Sequence, residues 1–288
     1  MKAYLDIVKN ILENGIHKKD RTGVGTKGVS GERFQHDMSK GFPLLTTKKM
    51  AYKSVKVELE GFIKGITDKK WYQERGCNIW NEWCNPKKVS YGLDDETQQK
   101  MQEEKDLGSI YGFQWRHWNA PYQDEKTNYE NKGIDQLEQM VEKLRKNPSD
   151  RRNIVSAWNP EQISQMALPP CHLLYQVLVQ EDKLDLIWYQ RSVDTMLGLP
   201  FNIASYATML HLLAKESGLK EGTLTGFLGD THIYVNHLEN AEEQTKREPM
   251  QLPKIETEQF TSLFNWKYDD TKLVNYQSHP KIEFPIAV

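Results

Sequence analysis

Cysteine is scarce in this chain. Its 288 residues hold three, Cys77, Cys84 and Cys171, an odd number too widely spaced for a disulfide framework. None belongs to a Cys-x-x-Cys pair or a His/Cys cluster, so the pattern of a zinc site is missing and no metal is expected. Charge of one sign is not in excess either. Lys and Arg number 38 against 40 Asp and Glu, a formal net charge of −2. That balance lacks the basic surplus typical of nucleic-acid binders, so nucleic acid is not an expected partner and any anion must be held by local positive charge. No run approaches the roughly 18 consecutive apolar residues of a membrane span. Residues 1–6 lack the apolar stretch of a secretory signal. Gly/Ser-rich linkers and internal repeats are absent as well. These absences point to a soluble, cytoplasmic protein with no membrane partner, long enough to bury a sizeable core.

What is present centres on a thiol. Leu168, Pro169, Pro170, Cys171 and His172 set a cysteine beside a histidine, after two prolines that restrict its approach. Residues 173–179 read as a strand, 180–183 as a turn and 184–189 as the return strand, followed by Gln190, Arg191, Ser192, Val193 and Asp194. A tight hairpin then holds Cys171 and Arg191 near the same end of two neighbouring strands. Cysteine is a nucleophile only as the thiolate, which a nearby guanidinium stabilises. Taken alone, a Cys-His pair is more often a buried structural thiol.

The rest of the chain alternates elements of both kinds. Tyr4, Ile7, Val8 and Ile11 recur at helical spacing, with Asn14-Gly15 as a left-handed terminator. Residues 18–26 form a basic, Gly-spaced loop in which Gly23 and Gly25 free backbone N–H groups and Arg21 adds charge, an anion cradle without the P-loop spacing. A strand is predicted over 29–34. A helix is predicted over about 51–66, with Val55, Leu59, Phe62 and Ile63 on one face, Glu58 among them and Glu60 projecting elsewhere. Burial of Glu58 in a cleft would raise its pKa towards neutrality. Ile79, Trp80 and Trp83 make an aromatic cluster suited to the core or to stacking on a planar heterocycle. Polar excursions follow at about 84–106 and 120–132, with an amphipathic helix over 134–145. Arg151-Arg152 precedes a strand at 153–158. A helix over 199–215, apolar nearly all round and ended by Gly218, should be central. A strand at 223–227, a polar cluster over 229–237, a helix over 238–247 and strands at 254–258 and 272–276 complete one α+β domain over 1–288.

In this order the motifs resemble the thymidylate synthase family nearly end to end. They are Arg21-Thr22-Gly23, the segment 43–48, Glu58-Leu59, Ile79-Trp80 with Trp83, Tyr111-Gly112, Arg151-Arg152, Pro170-Cys171-His172, Gln190-Arg191-Ser192 with Asp194, the segment 197–206, Gly229-Asp230-Thr231-His232 with Tyr234, and the apolar end at Val288. The resemblance implies a large mixed, mostly antiparallel twisted sheet with packed helices. It implies reductive methylation of dUMP to dTMP, with 5,10-methylenetetrahydrofolate as one-carbon and hydride donor and no metal. A homodimer is implied too, with Arg151 and Arg152 reaching the partner's site. Cys171 is then the nucleophile at uracil C6. Arg191 lowers the thiol pKa and, with Arg21, Ser192 and the partner's arginines, holds the phosphate. Asn202 reads O4 and N3, with Gln190 beside it. His232 and Tyr234 meet the ribose. His172, Glu58 and Tyr111 organise proton transfers. Asp194 binds the pterin among Ile79, Trp80, Trp83, Leu168, Leu197, Gly198 and Phe201. Lys48 meets the folate tail, and Val288 closes over the cofactor.

The chain departs from the family pattern at Glu60-Gly61, where Leu-Trp is usual, and at Asn81, where Asp is common. The first change should alter the cleft rim or the helix packing. The second removes a charge from the folate wall. The excursions read as surface decoration. A pyrimidine hydroxymethylase, in which water replaces hydride, is the near alternative, and a non-catalytic nucleotide- or RNA-binding member of the fold is a more distant one.

Overall fold

Along residues 183–194 the side chains alternate. Leu184, Leu186, Trp188 and Gln190 are buried, whereas Tyr189 between them is exposed. That period of two builds a strand with one face on the core. The computed structural model describes residues 1–286 and arranges eight helices and eight strands among them. In chain order these are α1 (Lys2–Asn14), β1 (Ile16–Lys18), β2 (Thr26–Asp37), α2 (Tyr52–Ile63), α3 (Lys69–Glu74), α4 (Asp95–Glu103), α5 (Tyr111–His117) and α6 (Gln136–Lys146). Then follow β3 (Ile154–Ser156), β4 (His172–Gln180), β5 (Lys183–Asp194), α7 (Gly198–Ser217), β6 (Lys220–Tyr234), α8 (Leu238–Thr245), β7 (Lys254–Thr257) and β8 (Thr271–Val274).

Six strands form one sheet in the order β1-β2-β6-β5-β4-β3. Every pairing is antiparallel except β5 with β6, which is the mixed sheet expected for an α+β fold. A parallel pair needs a crossover, and α7 supplies it. Thirteen of its side chains are buried, including Leu199, Ile203, Tyr206 and Leu210, so the helix is central as its composition predicts. Gly218 ends it in the left-handed conformation (φ 69°). β7 and β8 pair only with each other. No helix among the described residues is long and apolar enough to cross a membrane.

Several boundaries differ from expectation. Gly15 is extended (φ −66°, ψ 146°) rather than left-handed, because the chain turns directly into β1. α2 stops at Ile63, where Gly65 takes a positive φ of 70°. The strand predicted at 223–227 runs on to Tyr234, paired with β2 on one side and β5 on the other. The polar cluster from Gly229 to Tyr234 is therefore sheet. Two neighbours supply the ladder hydrogen bonds that an alternation-based reading cannot see.

The Glu60-Gly61 departure is accommodated by packing. A Cβ on Gly61 would lie 2.3 Å from the ring of Tyr72, a fully buried residue. Tyr72 therefore fills the space that the missing side chain leaves. Glu60 is 3% exposed. It pairs with Lys64 and accepts the backbone N–H of Tyr268 at 2.8 Å, which pins the 3-10 turn at Tyr268–Asp270 to α2.

The excursions are likewise fastened. Lys69 is 1% exposed and donates to the carbonyls of Asn81, Trp83 and Met101 at 3.3, 2.9 and 2.8 Å. Lys88 bridges Asp106 and Glu125, and Tyr122 donates to Asp106 at 2.5 Å. One excursion is thus tied to the other, contrary to simple surface decoration.

Candidate active site

The β4–β5 hairpin sets the site. His172 pairs with Gln190 across it, with an irregularity at His172/Leu174. The Arg191 N–H donates to the Cys171 carbonyl at 2.8 Å. The two residues stand side by side, as the hairpin reading requires. The Arg191 guanidinium turns back on the prolines: Nε donates to the Pro170 carbonyl and one terminal nitrogen to that of Pro169, both at 2.9 Å. Arg191 thereby holds the turn that presents Cys171 and keeps further donors for an anion.

Arg191 acts on the Cys171 thiol in the expected direction, but burial outweighs it and holds the pKa above the ordinary thiol value. Two of the guanidinium's hydrogen bonds go to carbonyls, not sulfur.

Around the thiol lies an aromatic stack. Tyr111, at the start of α5, accepts the Cys171 backbone N–H at 2.7 Å, which leaves the phenolic proton free to be donated. Its ring stacks on His172 (4.3 Å) and on Phe62 (4.9 Å). His172 Nδ1 pairs with the Tyr206 hydroxyl at 2.7 Å. Burial depresses the His172 pKa to about 3, so the ring is neutral and serves as a hydrogen-bonding group. Glu58 on α2 accepts the Trp80 indole N–H at 3.0 Å. Burial raises its pKa to about 7, and the indole bond only partly offsets this. The rise follows the direction expected for a buried carboxyl.

A polar relay lies beside these groups. Trp188 Nε1–H donates to Gln190 Oε1 at 3.2 Å, and Gln190 Nε2 donates to Asn202 Oδ1 at 3.0 Å and to the Ser192 carbonyl at 3.1 Å. The parallel register sets Ser192 opposite Asp230 and Asp194 opposite His232. His232 Nδ1 lies 3.1 Å from Asp230 Oδ1, and the His232 ring stands edge-on to Tyr234. Asp194 Oδ1 accepts the N–H groups of Met196 and Leu197 at 3.0 Å each, which steadies the entry to α7.

Other assignments differ in detail. The loop at 20–25 is no backbone anion cradle. Its own Asp20 accepts the N–H groups of Thr22 (3.2 Å) and Gly25 (2.8 Å), so exposed Arg21 carries the loop's available positive charge. Lys48 is turned inward rather than towards a tail at the rim. It is 5% exposed, donates to the Met196 carbonyl and lies 4.5 Å from the Phe284 ring centroid. Burial lowers its pKa to about 8 against the opposing pull of Asp194. Trp80 is 4% exposed and backs Glu58. Ile79, Trp83, Leu168, Leu197 and Phe201 are half-buried against the core, and with Gly198 and the Asp194 carboxylate they suit a flat heterocycle bearing N–H donors. Asn81 uses its side-chain oxygen to accept from Gln73 at 3.0 Å. Arg151 and Arg152 are exposed, with Arg152 paired to Asp150. Val288 lies outside the described residues. Among the described residues no group of three or more His, Cys, Asp and Glu could hold a metal ion.

Sequence reading passed over Trp188 and Tyr206. Both were within reach of periodicity, since Trp188 shares a strand face with Gln190 and Tyr206 lies one helical turn after Asn202.

The thymidylate synthase family model matches residues 2–288. The chain is 44% identical over 290 residues to the bifunctional dihydrofolate reductase-thymidylate synthase of Paramecium tetraurelia. That similarity covers 99% of this chain and 61% of the longer relative.

Proposed function

Because the chain belongs to the thymidylate synthase family, we propose that it converts dUMP to dTMP through a covalent adduct between Cys171 and uracil C6. The observation that carries this reading is the hairpin. Arg191 lies beside Cys171 on it, and Gln190 next to Arg191 bonds Asn202 of α7, a grouping that supports a planar base on an anionic handle. Uracil C5 is a weak nucleophile. When the thiolate adds to C6, the S–C6 bond forms and the ring electrons move onto C5 and O4, activating C5; once the one-carbon unit on C5 is reduced, the C5=C6 bond re-forms and the S–C6 bond breaks, expelling the Cys171 thiolate. Substrate phosphate supports this step because it draws in Arg191, Arg21 and Ser192. Asn202 meets O4 and N3, and His232 with Tyr234 meets the ribose hydroxyl. Glu58, Tyr111 and neutral His172 hold and move protons at O4 and C5. Methylenetetrahydrofolate supplies the one-carbon unit and the hydride when bound. Asp194 and the half-buried apolar wall would orient it and exclude water.

The active unit in this proposal is a homodimer. Leu174, Tyr189 and Phe227 lie in register on the outer sheet face at 36, 41 and 45% exposure, with Arg33 opposite Phe227. A contiguous exposed apolar row of this kind favours a protein partner. Pairing two such faces suits the donation of Arg151 and Arg152 into the partner's phosphate site. The three unpaired cysteines suit a reducing, cytoplasmic setting.

The test is to incubate the protein with dUMP and methylenetetrahydrofolate, following dihydrofolate by absorbance and the nucleotide by mass spectrometry. Stoichiometric dTMP and dihydrofolate are expected. Hydroxymethyl-dUMP with tetrahydrofolate would replace this reading with a hydroxymethylase, and ligand binding without turnover would replace it with a binding protein.

A further inference from the structure

Trp188 is fully buried in the strand that carries Gln190 and Arg191. Its ring stacks on Tyr206 at 5.3 Å and 15°, and lies 6.0 Å from Phe34. On its other side is Gly226, where a Cβ would sit 2.4 Å from Trp188 Cζ2. The indole therefore has one position. In that position Nε1–H meets Gln190 Oε1 at 3.2 Å.

An indole nitrogen only donates, and a backbone carbonyl only accepts. Gln190 stands between one of each, with Oε1 towards Trp188 and Nε2 towards the Ser192 carbonyl. Reversing the amide would set N–H against N–H at one end and oxygen against oxygen at the other. Gln190 Nε2 must therefore donate to Asn202, which fixes Oδ1 on the Gln190 side and leaves Nδ2 for a ligand. The edge that Asn202 offers is thus one donor beside the second lone pair of Oδ1. Uracil presents the complement, a carbonyl at position 4 and N–H at position 3. Cytosine presents the reverse, and accepting it requires turning Asn202 so that its N–H faces the Gln190 N–H.

We propose that Trp188 is a positioning residue for base selection: its indole N–H sets the polarity of the Gln190 and Asn202 amides, so the site accepts the uracil edge and rejects that of cytosine. The proposal rests on Asn202 being the base contact. Ser192 and Trp188 act as two clamps on one amide, and loss of the indole N–H leaves Gln190 Oε1 buried and unpaired and its reversal less disfavoured.

The experiment measures dUMP and dCMP affinity by calorimetry, and kcat and KM for each, on the full chain. Trp188→Phe keeps an aromatic ring and removes the donor. It should lower the dUMP-over-dCMP affinity ratio by about tenfold, the scale of one buried hydrogen bond with an unpaired partner. The loss should fall on KM more than on kcat, which a merely structural defect would not select. Asn202→Asp is measured alongside. A shift towards dCMP in Asn202→Asp with an unchanged ratio in Trp188→Phe overturns the proposal and leaves the base contact standing. No shift in either variant overturns both. Should Trp188→Phe not fold, the nearly isosteric Gln190→Glu decides. It keeps an acceptor for the indole but turns Asn202 round, so gained dCMP affinity supports the relay and its absence overturns it.

Discussion

At the residue scale the chemistry turns on two groups whose burial works against their charge. Cys171 carries a thiol whose pKa burial raises and Arg191 lowers, and it is the nucleophile of the proposed reaction. Cys171→Ser should lower turnover on the order of 10³-fold or more while dUMP binding remains measurable, because the phosphate and base contacts do not use the sulfur. Substantial turnover in that variant, assayed at saturating substrates, would sink the covalent mechanism. Glu58 has an ordinary carboxyl value of 4.5 and a folded value of about 7. Between these values the folded state holds more protons than the unfolded state, so stability falls as pH rises through that window and levels off above it. The full effect is about 3 kcal/mol. Glu58→Gln should remove this slope, as measured by urea unfolding near pH 5 and near pH 8, and should abolish an ionisation near neutrality in the kcat/KM profile. A variant with the wild-type slope would assign the pH response to another group.

At the element scale, position follows from what fastens each segment. The β4–β5 hairpin places its functional groups through the ladder itself, and α7 brings Asn202 and Tyr206 to them. The segment around α4 depends instead on Lys69, whose ammonium gathers carbonyls from Asn81, Trp83 and Met101. Lys69→Met should release both α4 and the Trp83 wall at a cost of about 1–3 kcal/mol. Faster amide hydrogen exchange confined to residues 81–103 is expected. Uniform acceleration across the chain would instead mean that Lys69 supports the global fold.

For the whole molecule, the proposed dimer joins stability to activity. Tyr189→Glu places a charge at the centre of the exposed apolar row, between Leu174 and Phe227, and buried unpaired charge is strongly unfavourable. Sedimentation should show monomers, with turnover lost because the partner's arginines are missing. An intact dimer would exclude this face as the interface. Mixing Cys171→Ser chains with Arg151→Ala/Arg152→Ala chains should restore about a quarter of the wild-type sites, since half the dimers are mixed and one site in each is complete. No recovery would mean that each chain supplies its own phosphate site.

By itself the sequence determined the hairpin, the central apolar helix ended by Gly218, the carboxyl at Glu58 and the pairing of Cys171 with Arg191. Each is written in a short period or a single motif, and local geometry suffices to express it. Tertiary structure decided what depends on distant partners. It decided that residues 229–234 are sheet, because β2 and β5 flank them, and that Asp20 consumes the amides of its loop. It sent Lys48 inward to Met196 and Phe284, and let Tyr72 fill the space at Gly61. It also joined Trp188 to Asn202 through Gln190, because a hydrogen bond has a direction that only two placed groups can define.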